Sequence, residues 1–436
     1  MLASLRSTAA LLLGVLVCSV PIWGQVRPLP AKAIDIEYSS SLDRLVLISK
    51  APDQLLIVDP ATSLTGVVAL PKEPLSLSVS PDGKYAAVGH DALISYINLS
   101  TAVTDKYLLV SVNTTEILLA ANGWVHAFAL DSYSSRSVNL STGAETALDT
   151  LHWVSHPAIH PNGRWVYSTR DGLSPNDIHK GDISSGPYKR LYDSRYHGQF
   201  NMCGRIWFTK DGQRLFNSCS TLFRVSADQN SDLLYNGRFS AAVKGIQGGA
   251  HAATLGRIIV AAGGDLGPHT TATEIQFYDD KFLNHIGSFF LPGGWSGRQL
   301  FTDAAESRLY IVATDAAGNS GIYTVSLTPG ATCNSTLGQN AGNSPADGGD
   351  VTVNVVASAG CVWQSSTNEP WINITNGGVA AGNATVKLTA SPNLSGSPRS
   401  GSVTIAGRTY TVTQAAATAT PVSPITSLAL RPVAAE

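Results

Sequence analysis

Seven stretches of this chain share one pattern of polar and apolar positions: a tight polar turn, then a run of β-branched, aliphatic and aromatic residues. Ser80-Pro81-Asp82-Gly83 followed by Tyr85-Ala86-Ala87-Val88 is the clearest copy. Asn122-Gly123, Asn162-Gly163 and Asp211-Gly212 open three more, and looser copies stand at Leu42–Leu47, Gly256–Val260 and Ser307–Val312. From turn to turn the steps are 40, 40, 40, 49, 44 and 51 residues. Gly after Asp or Asn, with β-formers on either side, is hairpin chemistry, because Gly takes the left-handed backbone such turns need. A hairpin repeat of this length predicts propeller blades rather than a helical solenoid.

Each repeat continues with a third strand that ends in an Asp or Asn turn, as in Ile57-Val58-Asp59 and Asn98-Leu99-Ser100-Thr101. A fourth strand follows, for example residues 65–70 or 106–112. The seventh copy lacks a fourth strand before Thr328-Pro329-Gly330, so the segment Val26 to Pro30 is expected to supply it and close the ring. After Leu327 the pattern changes to strict alternation, as in Val351-Thr352-Val353-Asn354-Val355, the mark of half-buried sandwich strands. The expected fold is all-β: a seven-bladed β-propeller over residues 26–328, then an immunoglobulin-like β-sandwich over 333–415. Residues 416–436 read as a flexible tail.

Composition narrows the function. The formal net charge is −2 and only 14% of residues are charged, so the basic footprint of nucleic-acid binding is absent. Residues 1–24, with Arg6 before an apolar run over 9–20, read as a signal peptide cut before Gln25. The run is short for a spanning helix, so no membrane insertion is expected after cleavage, and the chain is placed outside the cell or in the envelope. Four cysteines remain, an even number that suits two disulfides. Cys203 and Cys219 flank the Lys210-Asp211-Gly212 turn symmetrically. A three-residue hairpin loop would set them opposite each other on paired strands. Cys333–Cys361 then follows by exclusion. No Cys-x-x-Cys spacing points to a metal.

The turn pattern Asp/Asn-Gly-Lys/Arg plus β run, then Val/Ile-x-Asp/Asn-x-x-Thr-Gly, resembles the YVTN/TolB-like bacterial propellers across roughly residues 31–327. The later landmarks are Cys333, Asp347-Gly348-Gly349, Cys361-Val362-Trp363, Pro370-Trp371-Ile372, Arg399-Ser400-Gly401 and Tyr410-Thr411-Val412. That order resembles a BACON domain, an immunoglobulin-like module of secreted bacterial proteins. The resemblance implies glycan or mucin binding, although such a module usually precedes its partner domain and here it follows the propeller.

The search for chemistry returns few motifs. His152, His156 and His160 are four apart, but the prolines around them forbid a helix, and on a strand i and i+4 side chains lie ~13 Å apart. They read as turn and inner-strand histidines rather than a metal site. His251, Asp265 and His269 flank a long glycine-rich insertion in the sixth repeat, which is either a solvated loop or a binding loop. The acidic turns at Asp171–Asp177 and Asp279-Asp280 lack calcium-loop spacing. No nucleophile elbow, zinc-protease helix or phosphate loop is present. Trp363 and Trp371 suit either sugar stacking or packing beside Cys361. Trp295, in a glycine loop before an inner strand, is the foremost candidate for a ligand contact, with Asp265 and His269.

The expectation is therefore a secreted, monomeric, non-catalytic binding protein without metal or cofactor, whose partner is an extracellular glycan or protein. A propeller-based enzyme, such as a lactonase-like hydrolase or carbohydrate lyase, is the alternative. It requires polar side chains with shifted pKa values converging on the channel. A structural envelope scaffold, with a ligand in neither place, is a third.

Overall fold

The computed structural model describes residues 25–62, 64–129, 134–148, 154–169, 176–240, 243–263, 271–327, 334–358 and 361–417. The segment read as a signal peptide and most of the tail thus lie outside the described residues. Seven antiparallel sheets succeed one another as blades, their innermost strands being Asp35–Ser39, Ser76–Val79, Glu116–Leu119, Ser155–Ile159, Ile206–Phe208, Gly245–Ala252 and Ser296–Thr302. In blade 2 the second and third strands run together as Tyr85–Asn98. Blade 7 takes its outermost strand from the start of the chain, where Arg27 and Pro28 pair with Ile322 and Gly321. Arg27 also donates to the backbone carbonyls of Asp59, Pro60 and Thr62 in blade 1, so the closing strand clips the first blade to the last.

The repeat works because its turns and its cores are both local. The turn between the first two strands carries a left-handed residue in all seven blades: Asp43, Gly83, Gly123, Gly163, Gly212, Gly256 and Glu306. In the seventh blade that residue stands one place before Ser307. Asp59, Asn98, Asn139 and Asp279 accept hydrogen bonds from backbone amides two and three residues on, the turn role expected of them. Between blades, alternate apolar residues interdigitate. Ile36, Leu45, Leu47 and Leu56 of blade 1 meet Tyr310, Val312 and Ile322 of blade 7 in one fully buried cluster. Equivalent clusters fill the other six junctions. Side chains tie inner turns across the same junctions: Ser39 Oγ donates to the Gly83 carbonyl (2.5 Å), and His160 Nε2 lies 2.8 Å from the Gly212 carbonyl.

A second unit follows, a sandwich of two sheets. One holds Ser335–Leu337, Gly349–Ala357, Ala384–Ala390 and Ile372–Asn376. The other holds Ala341–Ser344, Arg408–Gln414, Arg399–Ile405, Val362–Thr367 and Val379–Ala381. Trp363, 2% exposed, is core, with its Nε1 donating to the Gly382 carbonyl (2.8 Å). Trp371 is half-buried; it lies against Gly401, and Arg399 sits over its ring at 4.4 Å. The Trp363 ring is not free to stack on a sugar, and Arg399 covers one face of Trp371.

The sandwich rests directly on the propeller. Val379 belongs to the core shared by blades 6 and 7, and Gly378 N–H donates to the Ile286 carbonyl (3.2 Å). Two glycines make this contact possible. A Cβ on Gly287 would stand 2.3 Å from the Val379 carbonyl oxygen, and one on Gly378 would stand 2.4 Å from Ile286 Cγ2.

Cys203 and Cys219 form a disulfide with Cα atoms 5.5 Å apart. The pairing is as expected, but its setting differs. The inner hairpin pairs Ile206 with Asn217, so both cysteines lie just beyond the paired strands, and the bridge joins two loops at one end of blade 5. The turn is longer than a three-residue loop because Thr209 N–H bonds the Arg214 carbonyl. Cys361 is also disulfide-bonded; Cys333, its expected partner, lies outside the described residues.

Candidate functional site

The inner strands run side by side around a central channel, and one level of that channel is polar. Four residues ahead of the first inner-turn residue, the blades carry Asp35, Ser76, Glu116, His156, Arg205, Gly248 and Gln299 in turn. Asp35, Glu116, His156, Arg205 and Gln299 line the channel there and form a collar between two chambers. The larger, about 460 Å³, runs toward the tight turns; Glu37, Leu118, Trp207, Phe208 and Phe301 are among its walls. The smaller, about 210 Å³, opens toward the loops between blades and holds Gln247, Arg298, Ser218 and Thr314.

Three inner strands depart from regular pairing at this level. The register slips between Ser155 and Ala158, between Ile246 and Gly248, and between Gly297 and Gln299. The residues left over include His156, Gln247 and Arg298, each polar and each lining the smaller chamber. His156 has φ +48°, a left-handed backbone that is uncommon for a non-glycine residue in a strand. Bulges of this kind bend a strand and re-aim a side chain, and they gather beside functional sites.

The charges on the collar interlock. Arg205 Nη2 lies 3.6 Å from Asp35 Oδ1 across the channel, and His156 Nδ1 lies 3.2 Å from Glu116 Oε1. Asp35 also accepts from Leu77 N–H (3.2 Å) and Ile36 N–H (2.9 Å). Burial raises the Asp35 carboxyl above its usual range, and Glu116 adds to this while Arg205 and the two amides oppose it. One step along the same strand, burial and the neighbouring Asp35 push Glu37 up to about 8, against the pull of Arg205. Glu37 is therefore a proton-bearing carboxyl at neutral pH. Burial works to lower Arg205, but Asp35 and Glu116 lead the carboxylates that outweigh it and hold the guanidinium charged. Burial and Arg205 together lower Arg298. The Arg205 side chain keeps 44% of its surface accessible even though protein rings it, because the channel is open along its axis. Solvent along that axis tempers these shifts.

Gln299 completes the collar, and its buried Oε1 has no hydrogen-bond partner among the described residues. The set as a whole offers hydrogen-bond acceptors at Asp35, Glu116 and Gln299, a fixed cation at Arg205 and a neutral carboxyl donor at Glu37. Among the described residues no cluster of His, Cys, Asp or Glu is arranged to hold a metal.

The residues singled out from sequence fall elsewhere. Asp265 and His269 lie outside the described residues. His251 lies at the turn end of its strand, where Nε2 faces Asp280 (3.1 Å) and Nδ1 accepts from Lys210 N–H (2.8 Å). The base of the insertion, Gly263, pairs with Gly245 at the other end of that strand, so His251 does not stand at it. Trp295 is half-buried at the edge of blade 7 with its ring against Gly321, outside both channel chambers. Of the spaced histidines, His156 is on the collar and His160 is buried between blades; His152 lies outside the described residues. The collar escaped sequence reading because its members are separated by whole repeats. Counting back a fixed distance from each turn would have found them.

No protein-family profile matches the chain, and no curated protein does. Solved structures do. The β-propeller domain of Cps50 (Swd1) from Myceliophteria thermophila is 12% identical, with a TM-score of 0.53 over 68% of this chain and 97% of that one. Hydrazine synthase from Kuenenia stuttgartiensis is 13% identical, with a TM-score of 0.49 over 73% of this chain and all of that one. At such identities the first likeness supports the propeller fold alone. A propeller is in general an interaction platform or an enzyme scaffold. Among the described residues, no helix is long and apolar enough to cross a membrane.

Proposed function

We propose that this is an exported binding protein whose propeller holds a small polar ligand, the end of a glycan chain being the best fit, at the channel collar. One observation carries the reading: three separate inner strands bulge at one level, and each places a polar residue in the same chamber. Asp35, Glu116 and Gln299 would accept from ligand hydroxyls, and Arg205 and protonated Glu37 would donate. Trp207, Phe208 and Phe301 offer apolar walls to the body of the ligand. The larger chamber is within the usual range for small-molecule sites. Export rests on the leader-like residues 1–24 and agrees with the Cys203–Cys219 disulfide. In this reading the propeller is YVTN/TolB-like, the sandwich is a BACON-like accessory that contacts glycan or mucin, and the chain acts as a monomer.

A second reading has its own support. Glu37 holds a proton near neutral pH, and the Glu116–His156 pair sits on the same collar, so an acid and a base line one channel. A glycan-array screen of the intact chain, repeated with Arg205→Ala and Glu116→Gln, tests binding. Turnover of fluorogenic glycosides and lactones on the same samples tests catalysis. Array signals that survive both substitutions would defeat the binding reading, and turnover that Glu37→Gln abolishes would install the enzyme in its place.

A further inference from the structure

We propose that the cleft between propeller and sandwich is a second ligand site, built for a small monoanionic hydroxy-carboxylate such as a sugar acid. This cleft, about 440 Å³, shares no lining residue with either channel chamber, so the proposal stands independently of the reading above.

Its one cation is Arg257, the first residue of the second strand of blade 6. The guanidinium donates to Gln364 Oε1 (2.5 Å), and that amide is held in place by its own Nε2 donating to the Ser326 carbonyl (3.1 Å). A neutral amide is thus the partner of a half-buried cation. No carboxylate among the described residues pairs with Arg257, and burial lowers its pKa without an opposing charge to restore it. A cation removed from water without a counter-ion is costly, and an anion in the cleft would relieve that cost.

The sandwich wall supplies the second observation. Ser366 lines the cleft with its hydroxyl, two places along the strand from Gln364 and so on the face that meets Arg257. Asn368 and Asn373 add two amides on the same side, and hydroxyl and amides are the groups that meet sugar hydroxyls.

Charge and shape then choose the ligand. Glu369 lies on the same wall, where Trp371 Nε1 donates to it (3.2 Å). With one cation and one carboxylate, the cleft suits a single negative charge better than a dianion. The planar guanidinium fork matches a planar carboxylate.

Titration calorimetry of the intact chain at low salt, with galacturonate, galactose and inorganic phosphate as probes, tests this. Galacturonate should bind saturably in the millimolar range or tighter. Galactose, which loses the charge-assisted contact, and phosphate, which loses the hydroxyl contacts, should each bind at least ~10-fold more weakly. Arg257→Gln should weaken galacturonate by about 10-fold or more, and Arg257→Lys, which keeps the charge and loses the fork, by less. Ser366→Ala covers the case in which Arg257→Gln loosens the domain contact; it should weaken binding several-fold at unchanged melting temperature. Made in an Arg205→Ala background, Arg257→Gln should weaken galacturonate by the same factor, which separates this site from the collar. Absence of saturable galacturonate binding, equal affinity for galactose or phosphate, or indifference to both Arg257→Gln and Ser366→Ala would overturn the proposal.

Discussion

Replacing Glu37 with Gln should remove a pH dependence of stability that this one carboxyl creates. In the folded chain Glu37 titrates at about 8, against an ordinary value of 4.5. The folded state therefore keeps the proton across a range in which the unfolded chain has lost it. Stability from this group is complete below pH ~4.5, declines as pH rises, and is gone above pH ~8. At about 1.4 kcal/mol per pH unit the full effect is roughly 4–5 kcal/mol, and solvent in the open channel reduces it to about half that. For a chain of this size a loss of about 2 kcal/mol lowers the melting temperature by roughly 2–3 °C. Gln copies the shape and neutrality of the protonated acid and does not titrate. Wild type and Glu37→Gln should thus melt alike at pH 5 and diverge toward pH 9, with the variant the more stable. Differential scanning fluorimetry from pH 5 to 9 measures this, and carboxyl NMR of Glu37 gives its titration directly. Parallel melting curves, or a Glu37 carboxyl that titrates near 4.5, would refute the collar electrostatics described above.

Other perturbations follow from the packing. Lys180 and Asp232 form a buried ion pair (2.9 Å, side chains 1% and 0% exposed) between blades 4 and 5, with Lys180 3.8 Å above the Trp165 ring. Asp232→Ala should cost about 3–5 kcal/mol in urea unfolding, because it strands a buried cation, and Lys180→Met with Asp232→Leu should recover most of it. Gly287→Val should part the sandwich from blade 6, because even a Cβ there meets backbone at 2.3 Å; faster proteolysis between the two units would register it, and an unchanged digest would not fit. Cys219→Ser should cost about 2–4 kcal/mol by opening the 203–219 loop, read from denaturation with and without reductant.

Much of the scaffold was legible because its determinants are local. Gly83, Gly123, Gly163 and Gly212 each occupy a turn that needs a left-handed residue, and the strands beside them alternate or run apolar as their burial demands. The closing strand was legible from a missing partner: blade 7 ran out of sequence, and Arg27-Pro28 supplied the edge. The site was not legible in the same way. Asp35, Glu116, His156 and Arg205 lie in unrelated local contexts and meet only when the ring closes. The bulges that aim His156, Gln247 and Arg298 have no sequence mark beyond an extra residue in the strand. Trp295 drew notice as an aromatic in a glycine loop; the nearby Gly321 is the small residue that lets its ring pack. The disulfide was predicted from symmetry about a turn, which gave the right pair and a strand setting that the observed register moves into loops.

The most direct test of the central claim is a comparison of glycan-array binding by the intact wild-type chain and by Arg205→Ala at matched folded fraction. Wild type should bind a defined set of glycans that the variant loses, because Arg205 is the fixed cation on which Asp35, Glu37 and Glu116 converge. An identical set of glycans bound with equal strength by both proteins would contradict it.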